Sequence, residues 1–191
     1  MDEKIKNNLE QWTALLQQPK FNPKYPSERV IQWVFNNFNS SDRILDYGAG
    51  TGRHLNFLLD EGFQGYSYEP ALADIWTEDI YPKNFFDGVL CYGVLYYISR
   101  QEIPQTIWRI RESLKKGGRA MFVLRSTKDY RRYNKSIGRA FNEKDLKICF
   151  FSRRELKPMF KKFRSIQIDE MMNTYLNGKE VNHDWVVCLK K

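Results

Sequence analysis

Apolar residues recur at helical spacing near the start of the chain and run almost continuously at intervals further on. Ile5, Leu9, Trp12 and Leu16 follow one another at steps of 4, 3 and 4, which predicts an amphipathic helix over 4–17. Pro19, Pro23 and Pro26 interrupt it. Ser27 is a good N-cap for a second helix, with Val30, Val34 and Phe38 as its stripe and Ile31 and Trp33 widening it. Both helices read as packing on a sheet, and Tyr25-Pro26-Ser27-Glu28 has the alternative role of a lid. Arg43-Ile44-Leu45 then ends a buried strand, and a helix with apolar residues at 55, 58 and 59 closes at Gly62.

Tyr66 and Tyr68 alternate as a second strand would, with Glu69 at its end and Pro70 enforcing a turn. Asp74 to Trp76 reads as a short third strand. The run from Phe85 to Ile98 is a strand of the fully buried, parallel type, beginning beside Asp87 and presenting Tyr92, Tyr96 and Tyr97 around its carboxyl end. Ser99-Arg100-Gln101-Glu102 is a capping box for a helix carrying Ile103, Ile107, Ile110 and Leu114, with Pro104 in its first turn. Lys115-Lys116-Gly117-Gly118 has the cations and glycines of a helix end, and the next strand is Arg119 to Arg125. A second capping box, Ser152 to Glu155, precedes Leu156, Phe160 and Phe163 on one face. A strand from Ser165, the turn signal Asn177-Gly178 and a last strand from Trp185 to Leu189 complete the chain. Strands alternating with helices make this an α/β protein, with helices on both faces of a mostly parallel sheet, a C-terminal antiparallel hairpin and an N-terminal helical extension.

The chemistry concentrates between the first strand and its helix, in Asp46-Tyr47-Gly48-Ala49-Gly50-Thr51-Gly52. Glycine allows positive φ and lets a ligand approach the backbone. A Walker loop would end in Gly-Lys-Ser/Thr, and this loop continues Gly52-Arg53-His54. A dinucleotide fingerprint needs its third glycine three residues after the second, and this chain has none there. A carboxylate at the end of the second strand, Glu69, can accept two hydrogen bonds from a ribose diol, the geometry that dinucleotide sites use.

With 191 residues, one domain is the expectation. Apolar content of 42% supports a core without metal or disulfide. Cys91, Cys149 and Cys188 lack metal-ligand spacing, so buried reduced thiols in a cytoplasmic protein are expected, with no metal. No apolar run approaches the roughly 18 residues of a membrane span, and no signal peptide is apparent. The net charge of +8 keeps RNA or an anionic metabolite in view. Arg125 to Phe141 is the most basic stretch, with Tyr130 and Tyr133 interleaved; it is either a solvated loop or an anion-recognition lid.

The spacing Asp-x-Gly-x-Gly-x-Gly at 46–52 resembles motif I of the class I S-adenosylmethionine-dependent methyltransferases, and 85–98 resembles that family's strand-four motif. Leu114 to Gly118 is similar to its fifth-strand entry, and His183-Asp184-Trp185 to the closing motif of the tellurite- and thiopurine-resistance type. The resemblance implies a seven-stranded sheet in one domain over 1–191, with 1–40 as N-terminal helices or lid and 41–191 as a Rossmann-like core. It implies S-adenosylmethionine as cofactor and S-adenosylhomocysteine as product. Asp46 would orient the loop formed by Gly48, Ala49, Gly50 and Gly52. Glu69 and Pro70 would meet the ribose, Asp79 and Ile80 the adenine, and Cys91 and Tyr92 the strand-end wall. Only nine residues separate Glu69 from Asp79, where relatives place a full helix.

The expected reaction is methyl transfer to an O, N or S atom of a small anionic metabolite, by a monomer or homodimer with no membrane partner. An amine or alcohol acceptor needs a base, and the candidates are Tyr92, Tyr96, Tyr97 and His183, with Tyr92, Tyr97 and His183 as the catalytic set. Tyr96, Arg125, Tyr130 and Arg132 are the substrate candidates. The alternatives are an RNA methyltransferase and a cofactor-binding module without catalysis.

Overall fold

A computed structural model describes residues 3–18, 23–69, 82–133, 148–174, 178 and 181–191. Two helices come first, α1 (Glu3–Leu16) and α2 (Glu28–Asn37). They are followed by β1 (Arg43–Tyr47), α3 (Arg53–Asp60), β2 (Gln64–Tyr68) and β3 (Phe86–Tyr92). The remainder is α4 (Ile103–Ser113), β4 (Leu114–Arg125), a 3-10 turn over Tyr130–Arg132, α5 (Arg153–Met159), β5 (Ser165–Thr174) and β6 (Val181–Lys190). The described residues form a six-stranded sheet in the order β2-β1-β3-β4-β6-β5. β2, β1, β3 and β4 are parallel, and β6 runs antiparallel to both β4 and β5. The count is therefore six, where the sequence implied seven; the third expected strand, 74–76, lies outside the described residues.

Period-two alternation sends side chains to two cores. One face of the sheet places Val89, Phe122, Leu124 and Trp185 against α4 and α5, with Phe151 and Phe160 fully buried beside them. The other places Ile44, Leu90, Met121 and Val186 against Val30 and Val34 of α2 and Phe57 and Leu58 of α3. Each fully buried side chain of this size contributes about 1.5–3 kcal/mol relative to exposure. Gly88 in β3 is a close-approach glycine: a Cβ there would lie 2.6 Å from Phe38 Cζ. At the amino ends of the strands, Asp87 accepts from the Arg43 amide at 3.0 Å and from Lys115 Nζ at 2.6 and 2.7 Å. Partial burial pushes its carboxyl up, but the Arg43 amide and the Lys115 ammonium outweigh that and hold it below the usual range.

Two helix boundaries differ from the periodicity. α4 begins at Ile103, because Pro104 fits the first helical turn, where its missing N–H costs nothing. The Ser99 hydroxyl donates to the Glu102 carboxylate at 3.2 Å, so this pair sits in the preceding turn. Lys115 to Gly118 belong to β4, which starts at once from Leu114 pairing with Phe86. The second capping box forms as expected: Glu155 accepts from the Ser152 amide and hydroxyl, each at 2.7 Å. α5 stops at Met159, just after Pro158.

The chain leaves β1 through α3 on one face and leaves β3 through α4 on the other. The crevice between the carboxyl ends of β1 and β3 is thus a topological switch point, where open α/β sheets bind ligands.

Candidate active site

The loop after β1 turns on positive φ at Gly48 (80°), Gly50 (57°) and Gly52 (86°). The amides of Gly48 and Ala49 donate to the Tyr68 carbonyl at 2.6 and 3.1 Å, and the Gly50 amide donates to Glu69 Oε2 at 2.7 Å. The acid at the end of β2 is thereby fixed beside the glycine loop. Across the crevice, Val94 of the loop after β3 packs on Gly48 so closely that a Cβ there would collide with it. From above, Leu16 Cδ2 lies 3.6 Å from where a Cβ on Gly50 would stand, so the end of α1 covers the loop.

Behind the loop, Asp46 is 1% exposed, and neither carboxylate oxygen has a hydrogen-bond partner among the described residues. Burial pushes its carboxyl up to about 7, against the pull of Arg53 and the Leu55 amide, and Glu69 adds to the rise. His54 Nδ1 lies 4.0 Å from Asp46 Oδ2. The Ser27 amide donates to His54 Nε2 at 3.4 Å, which assigns the proton of the neutral ring to Nδ1, facing Asp46. Burial, then the Arg53 charge, pull the His54 imidazole down to about 3. Cys91 is buried in the same wall, and burial, then Asp46, drive its thiol well above the ordinary value, so it packs rather than reacts.

Tyr92, at the end of β3, touches the His54 ring at 5.0 Å and carries the Arg53 guanidinium 5.0 Å from its centroid. Tyr97 packs between Tyr96, at 4.5 Å, and Trp12 of α1, at 5.0 Å. Loop and helix thus share an aromatic wall above the crevice.

Beside that wall lies a buried charged cluster. Arg125 Nη1 is 3.1 Å from Asp184 Oδ1 and 3.3 Å from Asp129 Oδ2, and Nη2 donates to the Tyr96 hydroxyl at 3.2 Å. Arg131 Nη1 reaches Asp129 at 3.3 Å and donates to Asn182 Oδ1 at 2.7 Å. Asp129 also accepts from the His183 amide at 2.9 Å. Burial pushes Asp184 up to about 6, with Arg125 opposing.

The structure brings Asp46, Gly48, Ala49, Gly50, Gly52, Glu69, Cys91, Tyr92, Tyr96 and Tyr97 together at the carboxyl ends of β1, β2 and β3, with the side chains of Asp46, Cys91 and Tyr96 buried there. Pro70, Asp79 and Ile80 lie outside the described residues. His183 is buried, its Nε2 3.0 Å from Glu170 Oε2 on β5. Arg125 is engaged by two internal carboxylates. Tyr130 lies under the Arg131 guanidinium at 5.0 Å, and Arg132 is exposed and donates to the Thr127 carbonyl at 3.3 Å. Sequence reasoning assigned no site role to His54, Val94, Leu16, Asp129 or Asp184. Leu16 stood there only in a helical stripe, and Val94 and Asp184 only within the motifs at 85–98 and 183–185, while His54 directly follows the glycine loop. Among the described residues no group of three His, Cys, Asp or Glu side chains could hold a metal, and no helix is long and apolar enough to cross a membrane.

A family model described as a methyltransferase domain matches residues 6–163. Among solved structures, a SAM-dependent methyltransferase from Archaeoglobus fulgidus is similar with a TM-score of 0.65 and 14% identity, over 100% of this chain and 97% of that one. TehB from Haemophilus influenzae is similar with a TM-score of 0.64 and 18% identity, over 87% of this chain and 62% of that one. The 1,6-didemethyltoxoflavin-N1-methyltransferase of Burkholderia thailandensis, with bound 1,6-didemethyltoxoflavin and S-adenosylhomocysteine, gives 0.57 and 16%, over 96% and 78%. At these identities the likeness is one of fold. No curated protein matches the sequence.

Proposed function

The chain belongs to the methyltransferase-domain family, and from that premise we propose that it transfers the methyl group of S-adenosylmethionine to a nucleophilic O, N or S atom of a small molecule. The observation that carries the reading is the hydrogen bond from the Gly50 amide to Glu69 at the switch point, which joins an open glycine backbone to a carboxylate able to accept from a ribose diol. The orphaned, buried Asp46 behind the same loop fits a ligand with a cationic half. When bound, the sulfonium supplies an already electrophilic methyl group. The protein then has to align the acceptor and exclude water, which can contribute about 7–11 kcal/mol. Val94, Leu16 and the Trp12–Tyr97 contact do the excluding, and the first helix serves as a lid.

An anionic acceptor has less support than the charge of +8 suggests. Arg125, Arg131 and Lys128 already have carboxylate partners, while Lys135 and Arg139 lie outside the described residues. The proposal is therefore a small acceptor that need not carry negative charge. Calorimetric titration with S-adenosylmethionine and S-adenosylhomocysteine tests the reading: micromolar binding of both supports it, and absence of binding by either overturns it.

A further inference from the structure

The buried ion cluster beside the crevice joins Tyr96 to the carboxyl end of β4. Its centre is Arg125, 6% exposed, at the carboxyl end of β4. The guanidinium donates to the Tyr96 hydroxyl at 3.2 Å and lies over the same ring, 4.9 Å from its centroid. The phenol oxygen lies 2.9 Å from where a Cβ on Gly93 would stand, so the bare glycine at the end of β3 makes room for it. The Cys149 amide donates to the Tyr96 carbonyl at 2.7 Å and pins the loop that carries the ring.

We propose that Tyr96 takes the proton of the methyl acceptor, and that Arg125 is the positioning residue that holds its oxygen and stabilises the phenolate. The inference rests on the methyl-transfer reading and concerns acceptors that must lose a proton. Tyr96 first releases its own proton to solvent. As the acceptor heteroatom bonds to the methyl carbon, the carbon–sulfur pair stays on sulfur and the heteroatom's proton passes to the Tyr96 oxygen. An opposite charge at hydrogen-bond distance is the arrangement that favours an ionised phenol, and it offsets the cost of burial. The attraction is mutual: burial pulls the Arg125 guanidinium down, but Tyr96, Asp184, Tyr97 and Asp129 together push it well above its ordinary value.

Among the described residues, the charged and titratable groups around Tyr96 include Arg125 from β4, Tyr97 from its own loop, and, through the guanidinium, Asp129 and Asp184 with Arg131 beyond them. Cys149, on the segment packed against the loop, has its thiol pushed up by burial and stays neutral. Asp129 and Asp184 compete with Tyr96 for Arg125, while Arg131 takes up part of the Asp129 charge, so the cluster sets how strongly the phenolate is held. His183 holds Glu170 through Nε2 and is buried, and Tyr97 is packed between two rings.

The test uses the full chain with tyrosine labelled at the Cζ carbon, followed by NMR against pH. The protein has 11 tyrosines, and the resonance missing from Tyr96→Phe identifies Tyr96. Its phenolate shift should appear below pH ~10, the value of an unperturbed phenol. Arg125→Gln should raise the midpoint by about one pH unit or more. Asp184→Asn, which removes a competing anion and keeps the cation, should lower it, and serves if Arg125→Gln does not fold. A Tyr96 that stays protonated to pH ~10, or a midpoint unmoved in whichever variant folds, overturns the proposal. A parallel titration with S-adenosylhomocysteine separates the two failures: lost binding sinks the methyl-donor reading, and with it the use assigned to the pair, while leaving the Tyr96 midpoint as measured.

Discussion

The Gly50 amide and the Glu69 carboxylate are 2.7 Å apart, so the loop after β1 and the acid after β2 form one hydrogen-bonded unit. Glu69→Ala removes both the proposed ribose acceptor and the partner of a loop amide. Hydrogen bonds to a charged group contribute about 1.5–3 kcal/mol each. The affinity for S-adenosylhomocysteine should therefore fall at least ~10-fold, read by calorimetry. Glu69→Gln keeps an acceptor for the loop amide, and should lie between the wild type and Glu69→Ala.

Gly48 is constrained twice, by its φ of 80° and by Val94. Gly48→Ala pays roughly 1–2 kcal/mol for the left-handed backbone alone, and the collision with Val94 adds to it. Adding Val94→Ala should recover the steric part and leave the backbone part. A double-mutant cycle by urea denaturation would show this as coupling between the two sites; additive losses would mean that the loops do not touch.

Asp46 and His54 have opposite effects on the pH dependence of stability. The Asp46 carboxyl goes from 3.8 up to about 7 on folding, so between those values the native state binds the extra proton, and this group favours folding more as pH falls. The His54 imidazole goes from 6.5 down to about 3, so the unfolded state binds the extra proton, and stability from this group is lost as pH falls through that window. Each slope is about 1.4 kcal/mol per pH unit, and between pH ~4 and ~6.5 they cancel. Asp46→Asn should leave a protein that loses stability on acidification. His54→Gln should leave one that gains it. Denaturation midpoints across that range would show slopes of opposite sign, and parallel slopes would refute the pairing.

Trp12 of α1 packs 5.0 Å from Tyr97, and Leu16 covers Gly50. A ligand held against the glycine loop, as proposed, would lie beside this helix. Binding of S-adenosylhomocysteine should change tryptophan emission saturably, and Trp12→Phe should abolish most of that change with little effect on calorimetric affinity. An equal change in the variant would mean that α1 is not part of the site.

What the sequence showed depended on how local the cause was. The glycine loop, Glu69 and the β3 strand declare themselves through glycine spacing and apolar runs, both properties of short segments. The partners of Arg125 do not. Asp184 meets it through an antiparallel register in which Arg125 pairs with Asp184, 59 residues away. His54 receives its hydrogen bond from Ser27, 27 residues earlier, and Leu16 reaches Gly50 only once α1 has docked. Of the acids that neutralise the basic stretch after β4, Asp129 lies within it, but Asp184 and Glu170 come from the hairpin at the other end of the sequence, which left a solvated loop and an anion-recognition lid as open alternatives. The start of α4 stayed open in the sequence for a local reason, since a capping-box pattern and a proline in the first turn compete for the same residues.

The order of the last two strands bears on how the chain is made. β6 follows β5 in sequence but lies between β4 and β5 in the sheet. During synthesis β5 therefore emerges with no neighbour to pair with, and β4 waits with one edge open along the apolar run Ala120 to Leu124. Unpaired apolar strand edges invite pairing with other chains. The nascent protein stays at risk of aggregation until β6 arrives and fills both edges in one step, so anything that delays the hairpin should cost soluble yield before it costs stability in the finished molecule.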